Sequence, residues 1–424
     1  MPDRPVVIIP GYYGSELFDQ KAQVEVWLTG DSLLHAIAVL EAIRLDTGDP
    51  SRIVANGPLD HIEVFSILRV EFYGKLRQYL LDVGGYAPGD VHVIGVDWRQ
   101  SLTTLAGDLK TIIDGIAAPS VDIVTHSHGG LVARAYLAAS GPGKVNSLIT
   151  IAAPHKGMLK TFDAIYEGFQ FATFPPDHLR RTARTFPSAY ELLPFAADDG
   201  LFTWNGNNAD PRAVNDWCET DVMKKMLADS ANVIGALPSQ LPVDATFIYG
   251  TRLETQTVCK GTTTGLTFET TTDGDSTVAI VSASGANVTS TGKLRRYPIP
   301  FAVHGSMFAD RRAQDIMLAC LRGTPPAVWF DAVWSEPLPY MIHSKHTLVV
   351  ELRDEWGNPI DQAKVTVTIA GDQTYPVEQQ DPWGDYAFDY VMPGPDTHVD
   401  WTVRAEAPGQ APLEKSGRIF AANN

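Results

Sequence analysis

The stretch Val121-Asp122-Ile123-Val124-Thr125-His126-Ser127-His128-Gly129-Gly130-Leu131 carries a group that could do covalent chemistry. An apolar run enters a turn of small residues and leaves as a helical pattern. A serine on such a turn is held in a strained backbone conformation, with its hydroxyl above the strand ends. The first N–H groups of the following helix stand beside it and favour negative charge. This is what a nucleophile for acyl transfer requires, so Ser127 is the candidate. Gly129 and Gly130 are expected to let the helix approach the strand, and Thr125 replaces the glycine usual at that position. The neighbours His126 and His128 are predicted to point away from the hydroxyl, so neither is expected to be its base. His128 is expected to lend its backbone N–H to an oxyanion hole and its imidazole to the pocket.

A serine hydroxyl needs a base, and the base needs an orienting carboxylate. On a strand–turn–helix nucleophile the chain order is serine, acid, histidine. Downstream, Thr272-Asp273-Gly274-Asp275-Ser276-Thr277-Val278 places two carboxylates in a short turn before an apolar run. Asp275 is the candidate acid and Asp273 its competitor; a calcium loop would need more oxygen ligands than this segment offers. The histidines after Asp275 are His304, His343, His346 and His398. Only His304 lies before the composition changes, so elimination selects it as the base. The first apolar run ends in Pro10-Gly11-Tyr12-Tyr13-Gly14, a loop whose backbone can face the site. The N–H of Tyr12 is the expected second oxyanion donor.

These residues need a scaffold. Short β-branched runs at 6–9, 91–96, 121–124, 148–152 and 246–249 suit strands buried on both faces. Between them Leu102, Leu105, Leu109, Ile112, Ile113 and Ile116 form a helical stripe. Alternation of this kind predicts an α/β fold with a doubly wound, mostly parallel sheet. The stretch 158–241 fits it poorly. It is aromatic early on (Phe162, Tyr166, Phe169, Phe171, Phe174) and is expected to be a helical lid insertion. After residue 323, Thr324-Pro325-Pro326 opens an expected linker over 324–345. From 346 to 424, strand-like runs separated by turns such as Pro393-Gly394-Pro395 predict an immunoglobulin-like β-sandwich with no evident chemistry. The catalytic domain is then expected to span 1–323.

Charge and composition bound the partners. With 44% hydrophobic and 20% charged residues the 424-residue chain is globular in type. A formal net charge of −17 argues against nucleic acid and against docking on strongly anionic membranes. Cys218, Cys259 and Cys320 do not make a disulfide framework or a metal-ligand spacing. The proposed chemistry needs no metal or cofactor. No secretory leader or roughly 20-residue apolar span is visible. The default expectation is a cytoplasmic chain, with signal-independent secretion as the alternative.

Several motifs together resemble the lecithin:cholesterol acyltransferase family of α/β-hydrolases. They are the opening strand and loop over 5–17, Trp27-Leu28, Phe72-Tyr73, Gly85-Tyr86, Asp97-Trp98-Arg99 and Ala153-Pro154-His155. Phe186-Pro187-Ser188-Ala189-Tyr190-Glu191-Leu192-Leu193-Pro194 is the most distinctive. The resemblance covers most of 5–320 and none of the β domain. His128 stands where Met or Leu is usual, and Ser276-Thr277-Val278-Ala279 lacks a proline often seen after the valine. The resemblance implies Ser127 as nucleophile, Asp275 over Asp273 as acid, His304 as base, and the Tyr12 and His128 N–H groups as the oxyanion hole. Asp97–Arg99 would support the sheet edge beside the site, and Trp98 would pack in the core. The implied activity is hydrolysis of lipid-like carboxylic esters, with peripheral lipid contact through the lid. The alternatives are acyl transfer to an alcohol, a non-lipid esterase or lactonase, an exported lipase docked through its β domain, and an inactive binding protein on the same fold.

Overall fold

A computed structural model describes residues 4–422, apart from 28–34, 48, 65–67, 72, 169–172, 196–199, 215, 287, 336–339, 342–343, 361–362, 370–372, 378–384 and 392–397. Leu28, Phe72, Phe169, Phe171, His343 and the turn at 393–395, singled out in the sequence, lie outside the described residues.

Five strands run side by side, all parallel: β1 (Val6–Ile9), β2 (Val91–Val93), β3 (Val121–His126), β4 (Val145–Ile151) and β5 (Asp244–Thr251). Their spatial order is β2-β1-β3-β4-β5, with β3 between β1 and β4. Val6 pairs with Asp122 and Ile9 with Thr125. Every residue of β1 and β3 is buried; β1 therefore reads as an unbroken apolar run, and in β3 the buried Asp122 is held by Arg4, Asn146 and Ser147. Helix α1 (Leu102–Gly115) crosses over β1 to carry the chain from β2 to β3, and α2 (Gly129–Ser140) joins β3 to its neighbour β4. Their Leu102, Leu105, Leu109, Ile113, Leu131 and Val132 pack on Val7, Ile9, Val121 and Ile123. Each such side chain contributes on the order of 1.5–3 kcal/mol when fully buried. The parallel doubly wound sheet is as the sequence predicted.

The stretch 158–241 departs from the expected helical lid. It does hold helices, Pro176–Ala183, Pro187–Glu191 and Asp221–Gly235. It also holds a strand, Phe202–Trp204, which pairs in parallel with Thr255–Thr262 through Phe202 and Cys259. Thr255–Thr262 turns back as Gly265–Thr271, so this small sheet draws on residues beyond the insertion. Its aromatics share one core with a separate excursion: Phe162, Phe174, Phe186 and Phe202 pack with Leu17, Trp27 and Leu40.

The chain divides into two compact units, Met1–Leu294 with Ala302–Thr324, and Arg295–Phe301 with Pro325–Asn424. In the second unit Val328–Trp334, within the expected linker, forms a strand antiparallel to Lys345–Asp354. Alternate Ala332 and Trp334 turn into the core there, and that burial makes a strand of what the prolines disguised. Asp385–Val391 completes this sheet, and His398–Glu406, Leu413–Ala422, Lys364–Ile369 and Gln373–Val377 make another. Leu348, Val350 and Leu352 of the first pack with Val365, Val367, Val399 and Val403 of the second, as in a β-sandwich.

Candidate active site

β3 ends at His126, and α2 begins at Gly129. Ser127, between them, has φ +52°, a left-handed conformation unfavourable for a residue with a Cβ. The turn is fixed on both sides: the Ser127 N–H donates to the Ile151 carbonyl at 2.9 Å, and the Gly130 N–H donates to the Ser127 carbonyl at 2.9 Å. A Cβ on Gly129 would lie 2.6 Å from the Ile9 carbonyl oxygen, so only glycine lets α2 cross the end of β1 so closely.

His304 reaches this turn from the start of a short 3₁₀ helix, His304–Ala309. Its Nε2 lies 2.9 Å from Ser127 Oγ, and its Nδ1 lies 2.8 Å from Asp275 Oδ2. Asp275 is fully buried, and its other oxygen accepts the N–H groups of Val278 at 2.7 Å and Thr277 at 3.0 Å. The His304 N–H donates to the Asp275 carbonyl at 2.9 Å, so main chain and side chain bind the two residues together. Those backbone donors leave the carboxylate acceptor-only toward His304 Nδ1, which must then carry the proton and leave Nε2 as acceptor. Asp273, the competitor, is exposed, and Thr271 Oγ1 donates to it at 3.0 Å.

The loop after β1 brings Tyr12 beside the serine turn, with its ring 5.7 Å from that of His128 and edge-on. Among the described residues, neither the Tyr12 nor the His128 backbone N–H has a hydrogen-bond acceptor. The His128 imidazole departs from expectation: it is fully buried and does not line the cavity, and burial pushes its pKa down to about 4. His126 lines the cavity, and its ring nitrogens bond the Tyr73 hydroxyl and the His304 carbonyl, not the serine hydroxyl; burial first and the nearby His304 second lower its pKa to about 3.

A cavity of about 340 Å³ opens on Ser127 and His304. Its walls are mainly apolar: Tyr13, Leu59, Met158, Ala164, Leu192 and Phe308. Trp98 is fully buried against Tyr12, Tyr13 and Trp27, in a packing role. Arg99 grips Asp97 through two nitrogens, at 2.8 and 2.7 Å, and donates to the carbonyls of Ile43 and Ile53. Together Asp97 and Arg99 anchor the excursion that follows β1. Tyr73 lines the cavity and bonds both Gly11 and His126. The sequence marked Tyr73 only as part of the Phe72-Tyr73 motif and gave it no role, because its partners Gly11 and His126 lie in distant segments.

Residues 112–174, which include β3, the serine turn, α2 and β4, match the family model of the PGAP1-like alpha/beta domain. Among solved structures, a chain of the Tle4–Tli4 complex is 16% identical with a TM-score of 0.54, over 76% of this chain and 97% of that one. The esterase RhEst1 from Rhodococcus sp. ECU1013 is 15% identical with a TM-score of 0.33, over 76% and 91% of the two chains. The carboxylesterase CesB (YbfK) from Bacillus subtilis is 9% identical with a TM-score of 0.31, over 76% and 85%. With the strand order and the turn after β3, the family match and the likeness to the Tle4–Tli4 chain give the first unit the α/β-hydrolase fold. Among the described residues no helix is long and apolar enough to cross a membrane.

Proposed function

We propose that this chain is a serine esterase that cleaves carboxylic esters of lipid-like, apolar acyl groups through an acyl-enzyme on Ser127. One observation carries the reading: His304 stands between Ser127 Oγ and Asp275 Oδ2 at 2.9 and 2.8 Å. His304 Nε2 accepts the hydroxyl proton as Oγ attacks the ester carbonyl carbon, and buried Asp275 stabilises the imidazolium through Nδ1–H. The carbonyl oxygen takes the electron pair and is held by the N–H groups of Tyr12 and His128. As the oxyanion collapses, the C–O bond to the alcohol breaks and His304 returns its proton to the leaving alkoxide. Water, deprotonated by His304, then attacks the acyl carbonyl; the bond from the acyl carbon to Ser127 Oγ breaks, His304 returns the proton to Oγ, and the acid leaves. The apolar cavity and the motif resemblance at Phe186–Pro194 support an acyl chain as its occupant.

Turnover of p-nitrophenyl butyrate by wild type and Ser127→Ala tests the reading. Loss of turnover in a folded variant is expected. Unchanged turnover would place the chemistry elsewhere.

A further inference from the structure

His126 and Tyr73 lie outside the proton relay, yet they connect its parts. The Gly11 N–H can only donate, and it donates to the Tyr73 phenol oxygen at 2.8 Å. The phenol proton is then directed to His126 Nδ1, 2.8 Å away. With Nδ1 an acceptor, the ring of neutral His126 must carry its proton on Nε2, which donates to the His304 carbonyl at 3.0 Å. Every polar atom in this chain of bonds thus has its direction fixed, and every link is buried. The rings reinforce it: Phe308, in the same 3₁₀ helix as His304, stacks on Tyr73 with centroids 4.8 Å apart and meets His126 edge-on at 5.2 Å.

We propose that Tyr73 and His126 are positioning residues that clamp the backbone of the base His304 to the oxyanion loop at Gly11. The proposal rests on the esterase reading for its kinetic consequence, but not for its geometry. His304 follows a loop and is tied to Asp275 through its backbone N–H and its Nδ1. The His126 bond supplies a second fixed point on the same residue. Through Tyr73 it also ties that point to the loop bearing the Tyr12 N–H. The clamp suits the reaction because its own imidazole stays neutral: the His126 ring centroid is only 5.2 Å from that of His304. A second cation there would oppose the imidazolium formed during attack.

The test uses full-length chains with Tyr73→Phe and with His126→Gln, His126→Asn and His126→Leu. A glutamine amide can place its nitrogen near the former Nε2 and restore the bond to the His304 carbonyl. Asparagine reaches only the Nδ1 position and restores the Tyr73 side alone. On p-nitrophenyl butyrate, kcat is expected to fall about 10- to 100-fold for leucine and asparagine, with KM within about twofold, the scale of a misplaced catalytic group. Glutamine should recover most of the loss, and Tyr73→Phe should lose about tenfold. A residue that only filled space would rank these variants by thermal stability, with leucine the best tolerated. Folded His126→Leu with kcat near wild type, or glutamine no better than leucine, would overturn the proposal. ¹⁵N NMR of the wild type reads the clamp without turnover. It should show His126 as the Nε2–H tautomer, not titrating between pH 5 and 8, and the Nδ1–H tautomer or a titration in that window would overturn it. Absence of Ser127-dependent turnover in the wild type would instead sink the esterase reading and leave the NMR result to judge the clamp.

Discussion

Replacing His128 by leucine should stabilise the chain, and more so in acid. The imidazole is fully exposed to neither solvent nor cavity, and among the described residues neither ring nitrogen has a hydrogen-bond partner. Burying such a group costs about 1–3 kcal/mol, which an apolar side chain of similar volume avoids. Charge adds a second part. Burial lowers the pKa from the ordinary 6.5 to about 4. Between those values the unfolded chain binds the proton and the folded chain does not, so wild-type stability falls as pH drops through the window. The loss is small at pH 7 and reaches about 2 kcal/mol at pH 5. Leucine removes both parts, giving a gain of about 1 kcal/mol at pH 7 and about 3 kcal/mol at pH 5. His126 titrates with the same sign and Glu16, raised to about 7 by burial first and the nearby Glu25 and Asp60 next, with the opposite sign. Both are common to the two proteins and cancel in the comparison. Native-state hydrogen exchange at the amides of β3 and α2 reads the opening of this unit. At matched pH the variant should exchange about 5-fold more slowly at pH 7 and about 150-fold more slowly at pH 5. An equal ratio at both pH values would refute the claim that the buried imidazole resists its proton.

Asp275→Asn keeps the shape of the acid but favours the wrong histidine tautomer, so kcat should drop by about 10⁴ with little change in KM, measured on a chromogenic ester. Gly129→Ala drives a methyl to within 2.6 Å of the Ile9 carbonyl, so α2 must shift; steady-state kinetics should show at least about tenfold loss of kcat, with circular dichroism confirming the fold. Across p-nitrophenyl esters from acetate to palmitate, kcat/KM should climb up to about fourfold per methylene until the cavity is full, then level off. A flat series would argue that the acyl group does not enter it.

The central strands were readable because burial on both faces writes an apolar run, unbroken in β1. The serine turn was readable because a strained corner between strand and helix admits few residues, hence Ser127 beside Gly129 and Gly130. Asp275 and His304 lie far from Ser127 in the chain; a short turn before an apolar run and the motif resemblance singled out the acid, chain order and elimination the base, and the fold sets them within hydrogen-bond distance. The small sheet around Phe202–Trp204 was hidden, because a three-residue strand has no periodicity of its own and its partner lies more than fifty residues on. Val328–Trp334 was masked by the prolines before it. The links from Gly11 through Tyr73 and His126 to His304 were also invisible, since they join four separate segments and depend on directions of donation that only coordinates supply.

The most direct test of the account is to trap the acyl group itself. Full-length protein is mixed with p-nitrophenyl butyrate, quenched in acid within milliseconds, digested and read by peptide mass. The account predicts one butyryl adduct, on the peptide bearing Ser127, absent after Ser127→Ala. Turnover with no adduct on that serine, or with the adduct at another residue, would contradict it.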